Sequence, residues 1–147
     1  VVRGAEPVLP LLNQAIAQQD LSILYINIRS NDLLDPRCDP RRLGRDIASL
    51  AKYASHSPPS LRVVIGQIHL SRNHNPVSGE RRSIEFASRV WATHDAILEC
   101  IKGHERISLA FHKGLCRPDD NLYADHVHFN NKGMNKLYRG IRGAIIR

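Results

Sequence analysis

The chain has 147 residues, of which 42% are hydrophobic and 24% are charged. We expect residues 1–147 to form one globular domain, because this length supports one core but not two. The sequence has no run of the roughly 18 to 20 apolar residues that a membrane span needs, and its start lacks the pattern of a signal peptide. A membrane-spanning protein is therefore not expected, and the initial valine favours a piece of a longer protein.

Charge and cysteine content restrict the class of protein further. The formal net charge is +7, which suits a polyanionic partner, but the cations are spread along the chain as on solvated helix faces. The three cysteines, Cys38, Cys100 and Cys116, form no C-x-x-C pair and are too few for a disulfide framework. They favour a reducing compartment, and the localisation is otherwise open.

The first two predicted elements are a helix and a strand. Pro7 suits the first turn of a helix, and Leu9, Leu12 and Ile16 follow at helical spacing. LSILYINI, residues 21–28, is a nearly continuous apolar run rich in β-branched residues. Such a run is typical of a strand that is covered on both faces in a parallel sheet.

A second helix and a second strand follow. Asp39 can accept hydrogen bonds from free amides at a helix start, and Pro40 suits the first turn. The apolar face of this helix, which the breaker SHSPPS ends, comprises Leu43, Ile47, Leu50, Ala51 and Ala54. LRVVIGQI, residues 61–68, repeats the strand pattern.

The last three predicted elements are a long helix, a strand and a final helix. The long helix runs from about Glu80 to Lys102, and Gly103 is a natural C-terminal stop. RISLAF, residues 106–111, is the third strand, and the final helix follows Asn131. The predicted core residues of the two helices are Ile84, Trp91, Ile97, Leu98 and Ile101, and then Met134, Leu137, Tyr138, Ile141 and Ile145.

This alternation of helices and strands predicts an α/β fold with a parallel sheet, right-handed crossovers and helices on both faces. In open α/β sheets the ligand site lies beyond the carboxyl ends of the strands. That rule selects three polar, turn-rich loops, residues 29–40, 69–80 and 112–130. We expect the functional residues in these loops.

The third loop contains Asp125-x-x-His128, in the stretch LYADHVHFNNKG. Three positions apart, the carboxylate can bond one imidazole nitrogen while the other nitrogen faces a cleft. A carboxylate placed in this way fixes the tautomer of a general base and stabilises the imidazolium that forms. The alternative is structural, with Asp125 capping the following helix and His128 as a loop histidine.

The first loop contains an Asn-Asp pair directly after the first strand. Asn31 carries an amide donor suited to a developing oxyanion, and Asp32 can hold the loop in place. The alternative is an Asx-turn that ends the strand.

Together these residues resemble the SGNH (GDSL-like) hydrolase family. YINIRSNDLLD resembles its third block, ADHVHFNNKGMNKL its fifth and VVRGA its second. Two further stretches, VVIGQIHL and residues 111–129, are similar to sequences of a branch of this family found in invertebrate and mobile-element proteins. The resemblance implies a three-layer, flavodoxin-like fold with its first strand missing, and acyl ester hydrolysis by a Ser-His-Asp mechanism.

The resemblance also implies residue roles. His128 would be the general base, Asp125 its orienting partner, and Asn31 and Gly4 the oxyanion-hole donors. Two departures stand out: no Gly-Asp-Ser occurs in the 147 residues, so the nucleophile is expected upstream, and Arg29 stands where the family has glycine. Neither Ser30 nor Cys116 lies in a recognisable nucleophile elbow, and we interpret both as ordinary loop residues.

The sequence also suggests two alternative functions. A metal site would use histidines in or beside the selected loops, which are His69, His74, His112, His126 and His128. Their spacing is not that of a zinc site, so we expect neither a metal nor a cofactor.

The second alternative is a catalytically inactive SGNH-like module that binds nucleic acid or another polyanion. Its candidate cations are Arg37, Arg41, Arg42, Arg45, Lys132, Lys136, Arg139, Arg142 and Arg147. Only 5% of the residues are aromatic, which offers few platforms for stacking bases. The other expected partners are a small-molecule, carbohydrate or lipid ester as the substrate and a second copy of the chain, which would associate through an uncovered sheet edge.

Overall fold

The fold is mixed α/β. The structure is a computed structural model that describes residues 5–18, 21–28, 31–56, 58–70, 79–117, 119–125 and 128–146. In chain order the elements are α1 (Ala5–Gln18), β1 (Ile23–Ile26), α2 (Asn31–Leu34), α3 (Pro40–Ser55), β2 (Arg62–Gly66), α4 (Gly79–Ile101), β3 (Ile107–Ala110), a 3-10 turn (Asp120–Leu122) and α5 (Asn131–Ile146).

The three strands form one parallel sheet in the order β1-β2-β3. Tyr25 is in register with Val64, and Val64 with Ser108. Parallel strands aligned in this way bring the loops that follow them to one edge of the sheet. The predicted strand positions and their parallel direction are confirmed.

Local sequence signals account for the helix ends. The Asp39 side chain accepts a hydrogen bond from the Arg41 amide at 2.9 Å, and Pro40 is the first residue of α3, as predicted. α4 ends at Ile101, and Gly103 follows with φ +82°, a left-handed conformation that favours glycine.

The main core lies between α3, α4 and one face of the sheet. Val63 and Ile65 of β2 and Ile107 of β3 belong to it. From the helices, the fully buried members include Ile47 and Ala51 of α3 and Val90 and Ile97 of α4. Because side chains alternate along a strand, Tyr25, Val64 and Ser108 lie on the opposite face.

α5 contacts this opposite face and a second, smaller core. Arg62 donates a hydrogen bond to the Ile145 carbonyl near the end of α5. Near its start, Leu137 packs with Leu115 and Leu122 beneath the loop that precedes the helix. α5 therefore runs from the carboxyl end of the strands to their amino end.

The predicted core face of α4 is partly wrong. Ile97 and Ile101 are buried, but Ile84, Trp91 and Leu98 are 66%, 42% and 44% exposed. These three residues are spaced by seven, which places them on one stripe of the helix away from the face that α3 covers.

The predicted stripe of α5 is also only partly buried. Leu137 is buried and Ile141 and Ile145 are half-buried, whereas Met134 and Tyr138 are exposed. Among the described residues, the small core beneath the helix includes Leu137 and Ile141 but not Met134 or Tyr138. Among the described residues, no helix has the length and apolar character needed to span a bilayer.

Candidate functional site

The loop that carries Asp125 and His128 is closed by its own backbone. Tyr123 and Phe129 form an antiparallel bridge, and the Ala124 amide donates to the His128 carbonyl at 2.8 Å. Phe129 stacks on Tyr123 with ring centroids 4.8 Å apart. The bridge and the stacked rings bring residue 125 close to residue 128.

Asn130 joins this loop to α5. Its Oδ1 accepts the Lys132 and Gly133 amides at 2.9 and 3.0 Å, and its Nδ2 donates to the Asn121 carbonyl at 2.9 Å. Asn130 is thus the N-cap of α5, and the alternative in which Asp125 caps this helix is wrong. The sequence could have indicated this cap, since asparagine is a preferred residue directly before the start of a helix.

Asp125 binds both the backbone and the ring of His128. Its Oδ2 lies 2.7 Å from Nδ1 of His128, and its Oδ1 accepts the His128 amide at 2.6 Å. The predicted hydrogen bond between the two side chains is confirmed. Nδ1 is therefore the donor to the carboxylate when the ring is neutral, which leaves Nε2 as the nitrogen that can accept a proton.

This pair is exposed to solvent. The side chains of His128 and Asp125 are 67% and 55% exposed. Exposed ion pairs contribute little to stability because water screens them. The pair therefore orients an accessible imidazole and adds little to the free energy of folding.

Asn31 is the first residue of α2, the helical turn that follows β1, and it is exposed. Leu33 anchors this turn in the core with 2% exposure. The hydrogen bonds of Asp125 to the amide and ring of His128 do not include Asn31. Gly4 falls outside the described residues, as do Arg29, Ser30, His74 and His126.

Arg89 of α4 organises the segment after α2. Its guanidinium donates to the carbonyls of Leu33, Asp35 and Cys38 at 3.0, 2.7 and 2.7 Å. One side chain from a distant helix thus pairs with three carbonyls of this segment, of which the Asp35 carbonyl also accepts the Cys38 amide at 3.0 Å. No local pattern predicted this role, because the partners are more than 50 residues apart.

A buried polar cluster lies beside the candidate site at the carboxyl end of the sheet. The Tyr25 hydroxyl is 2.6 Å from Nε2 of His112. Gln67 accepts the His112 amide at 2.7 Å and donates to the Leu115 carbonyl at 2.8 Å. Cys116 contacts Gln67 and the His112 carbonyl, in keeping with its interpretation as a loop residue.

His69 extends the cluster towards the Asp125–His128 loop. Its ring stacks on His112 at 6.3 Å and meets Phe129 edge-on at 5.0 Å between centroids. Both ring nitrogens are buried without a hydrogen-bond partner among the described residues. Burial, with smaller contributions from His112 and His94, lowers the pKa of His69 to about 4, so its ring is neutral at pH 7.

The described residues contain no group of three His, Cys, Asp or Glu side chains that could hold a metal ion. Comparison of the sequence with protein-family models gives no match, and comparison with curated proteins gives no relative.

Proposed function

We propose that this chain belongs to an ester hydrolase of the SGNH type, in which His128 is the general base and Asp125 orients it. The observation that carries the proposal is the 2.7 Å hydrogen bond between Oδ2 of Asp125 and Nδ1 of His128. It supports a ring held in one tautomer with Nε2 as the proton acceptor.

The proposed reaction needs a serine from outside these 147 residues. Nε2 of His128 takes the serine proton as the oxygen attacks the ester carbonyl carbon, and then returns a proton to the departing alcohol. In the second half of the reaction, Nε2 takes a proton from water as the water oxygen attacks the acyl-enzyme, and then returns a proton to the departing serine oxygen. The amide of Asn31 and the backbone of Gly4 would donate to the oxyanion of each tetrahedral intermediate.

The proposed fold is a three-layer, flavodoxin-like arrangement. Its support is the parallel order β1-β2-β3, with α3 and α4 against one face and α5 beside the other. In this proposal a further strand pairs with the outer edge of β1. That strand would lead to the serine, since the nucleophile of such folds follows a strand end.

The test compares the 147-residue chain with a polypeptide that begins further upstream. We expect the 147 residues to show almost no hydrolysis of p-nitrophenyl acetate and no labelling by a fluorophosphonate, since loss of a triad member costs on the order of a thousandfold or more in rate. The longer polypeptide should gain both activities if it contributes a Gly-Asp-Ser block.

In the longer polypeptide, His128→Ala should abolish turnover, and Asp125→Asn should reduce it strongly without loss of folding. His104→Ala is the matched control, because His104 is an exposed histidine in the turn before β3. If Arg29→Gly increases labelling, the arginine obstructs the oxyanion hole. Hydrolysis by the 147 residues that depends on His128 would contradict the proposed source of the nucleophile.

A further inference from the structure

A groove of about 880 Å³ runs along β3 between the sheet and α5. Small residues line both walls: Ser108 and Ala110 on the strand, and Gly140 and Gly143 on the helix. A Cβ atom added at Gly143 would meet nothing within 4 Å, so the groove is open at this position. This groove lies along the side of the sheet and not in the Asp125–His128 loop.

Three of the cations that line the groove lie towards the carboxyl end of β3. Lys136 lies beside Gly114, after the carboxyl end of β3, and Lys113 lines the same end. Arg139 is one turn further along α5 on the same stripe as Lys136. At the opposite end the groove is lined by Glu105, which precedes β3, and by Arg62, whose guanidinium donates to the Ile145 carbonyl.

No ion pair within the described part of the chain neutralises Lys113, Lys136 or Arg139. Three cations at one end of a groove repel one another, and the low-dielectric walls strengthen the resulting positive potential. An anion that enters this end removes the repulsion and gains charge-assisted hydrogen bonds.

We infer that this groove binds a small phosphorylated molecule, with its phosphate groups on Lys113, Lys136 and Arg139. Three cations suit a multiply charged anion better than a single carboxylate. The walls formed by Val64, Ser108 and Ala110 accept the uncharged part of the ligand.

The size of the groove selects a small ligand over nucleic acid. Its volume is within the range of roughly 300 to 1,000 Å³ that is usual for small-molecule sites. Single-stranded nucleic acid requires several aromatic platforms along an extended path, whereas the aromatic rings that line this groove within the described chain are those of the neighbours Phe111 and His112. The inference is independent of ester hydrolysis.

Titration calorimetry of the 147-residue chain with ADP, and separately with pyrophosphate, at constant ionic strength tests the inference. The double variant Lys136→Gln/Arg139→Gln should bind either probe at least about tenfold more weakly, since two charge-assisted contacts are lost. The control Lys132→Gln/Arg142→Gln removes the same charge from the same helix outside the groove. Its affinity should stay within about twofold of the parent.

A second variant blocks the groove without removing charge. Gly143→Leu places a side chain in the open space, and the helix should tolerate it because leucine is a better helix former than glycine. We expect the circular dichroism spectrum of this variant to be that of a folded protein, and we expect the variant not to bind ADP. Absence of binding by the parent up to millimolar probe, or equal losses in the two charge variants, would overturn the inference. So would tighter binding of an oligonucleotide that Gly143→Leu does not affect.

Discussion

The Tyr25 hydroxyl lies 2.6 Å from Nε2 of His112 and so connects β1 to the segment after β3. Between them lies β2, where a Cβ atom on Gly66 would overlap the Tyr25 hydroxyl. Burial raises the pKa of Tyr25 to about 12. Burial also lowers the pKa of His112, and a hydrogen bond to the Gly140 carbonyl partly offsets that decrease. Both groups are therefore neutral at pH 7, and the hydroxyl donates to the imidazole.

Gly66→Ala should destabilise the fold by about 2 kcal/mol or more, because the new methyl group displaces Tyr25 and breaks its bond to His112. Urea unfolding monitored by circular dichroism measures the effect. Gly143→Ala is the matched control; its Cβ meets no atom within 4 Å, so it should be neutral or stabilising by up to about 1 kcal/mol. Equal stability of the two variants would show that the space above Gly66 is open.

Tyr25→Phe should lower the free energy of unfolding by about 1 to 2 kcal/mol, since Nε2 of His112 loses its donor in a buried site. Tyr53→Phe removes an exposed hydrogen bond to Asn13 and should change stability by less than about 0.5 kcal/mol. If Tyr53→Phe lowers the free energy of unfolding as much as Tyr25→Phe does, the buried hydrogen bond contributes no more to stability than the exposed one, contrary to this prediction.

Stability should fall with acidification because His94 is buried in its neutral form. Its Nε2 accepts the Ile68 amide at 2.9 Å, and burial, slightly offset by Asp95, lowers its pKa to about 4 from an ordinary 6.5. Between pH 6.5 and pH 4, His94 is therefore protonated in the unfolded chain but neutral in the folded protein. The contribution of His94 to the free energy of unfolding is complete above pH 6.5 and is lost as the pH falls towards 4. From pH 7 to pH 5 the loss is about 2 kcal/mol for this residue.

Urea unfolding at pH 7, 6 and 5 measures this slope. His94→Gln keeps a side-chain acceptor for the Ile68 amide but does not titrate, so its slope should be shallower than that of the parent. His104→Gln alters an exposed histidine and should keep the slope of the parent. Superimposable pH profiles for the parent and His94→Gln would contradict the assignment.

The outer edge of β1 should make the 147-residue chain self-associate. β1 pairs with β2 on one side, and its four residues Ile23–Ile26 are only half-buried. An apolar edge strand is a template for pairing with another chain. Light scattering after size exclusion should show a mass that rises with concentration, and Ile23→Lys should reduce it more than Ser108→Lys on the opposite edge strand. A monomer at all concentrations would show that another segment covers β1.

Local signals in the sequence predicted most elements of this fold. Asp39 and Pro40 define the start of α3, and Gly103 ends α4, because caps and stops depend on residues a few positions apart. The Asp125–His128 bond was predictable for the same reason, since three positions of chain hold the two side chains together. The helical turn at Asn31–Leu34 was not predicted, because Leu33 gains its anchor only from the distant core.

Tertiary structure alone decided which faces are buried and which distant polar groups meet. α4 carries two apolar stripes, one with Phe86, Val90 and Ile97 and one with Ile84, Trp91 and Leu98, and the packing of α3 selected the first. The sequence could not rank them, because periodicity shows that residues share a face but not what that face contacts. The bond between Tyr25 and His112 spans 87 positions and exists only because the parallel register of three strands aligns their ends.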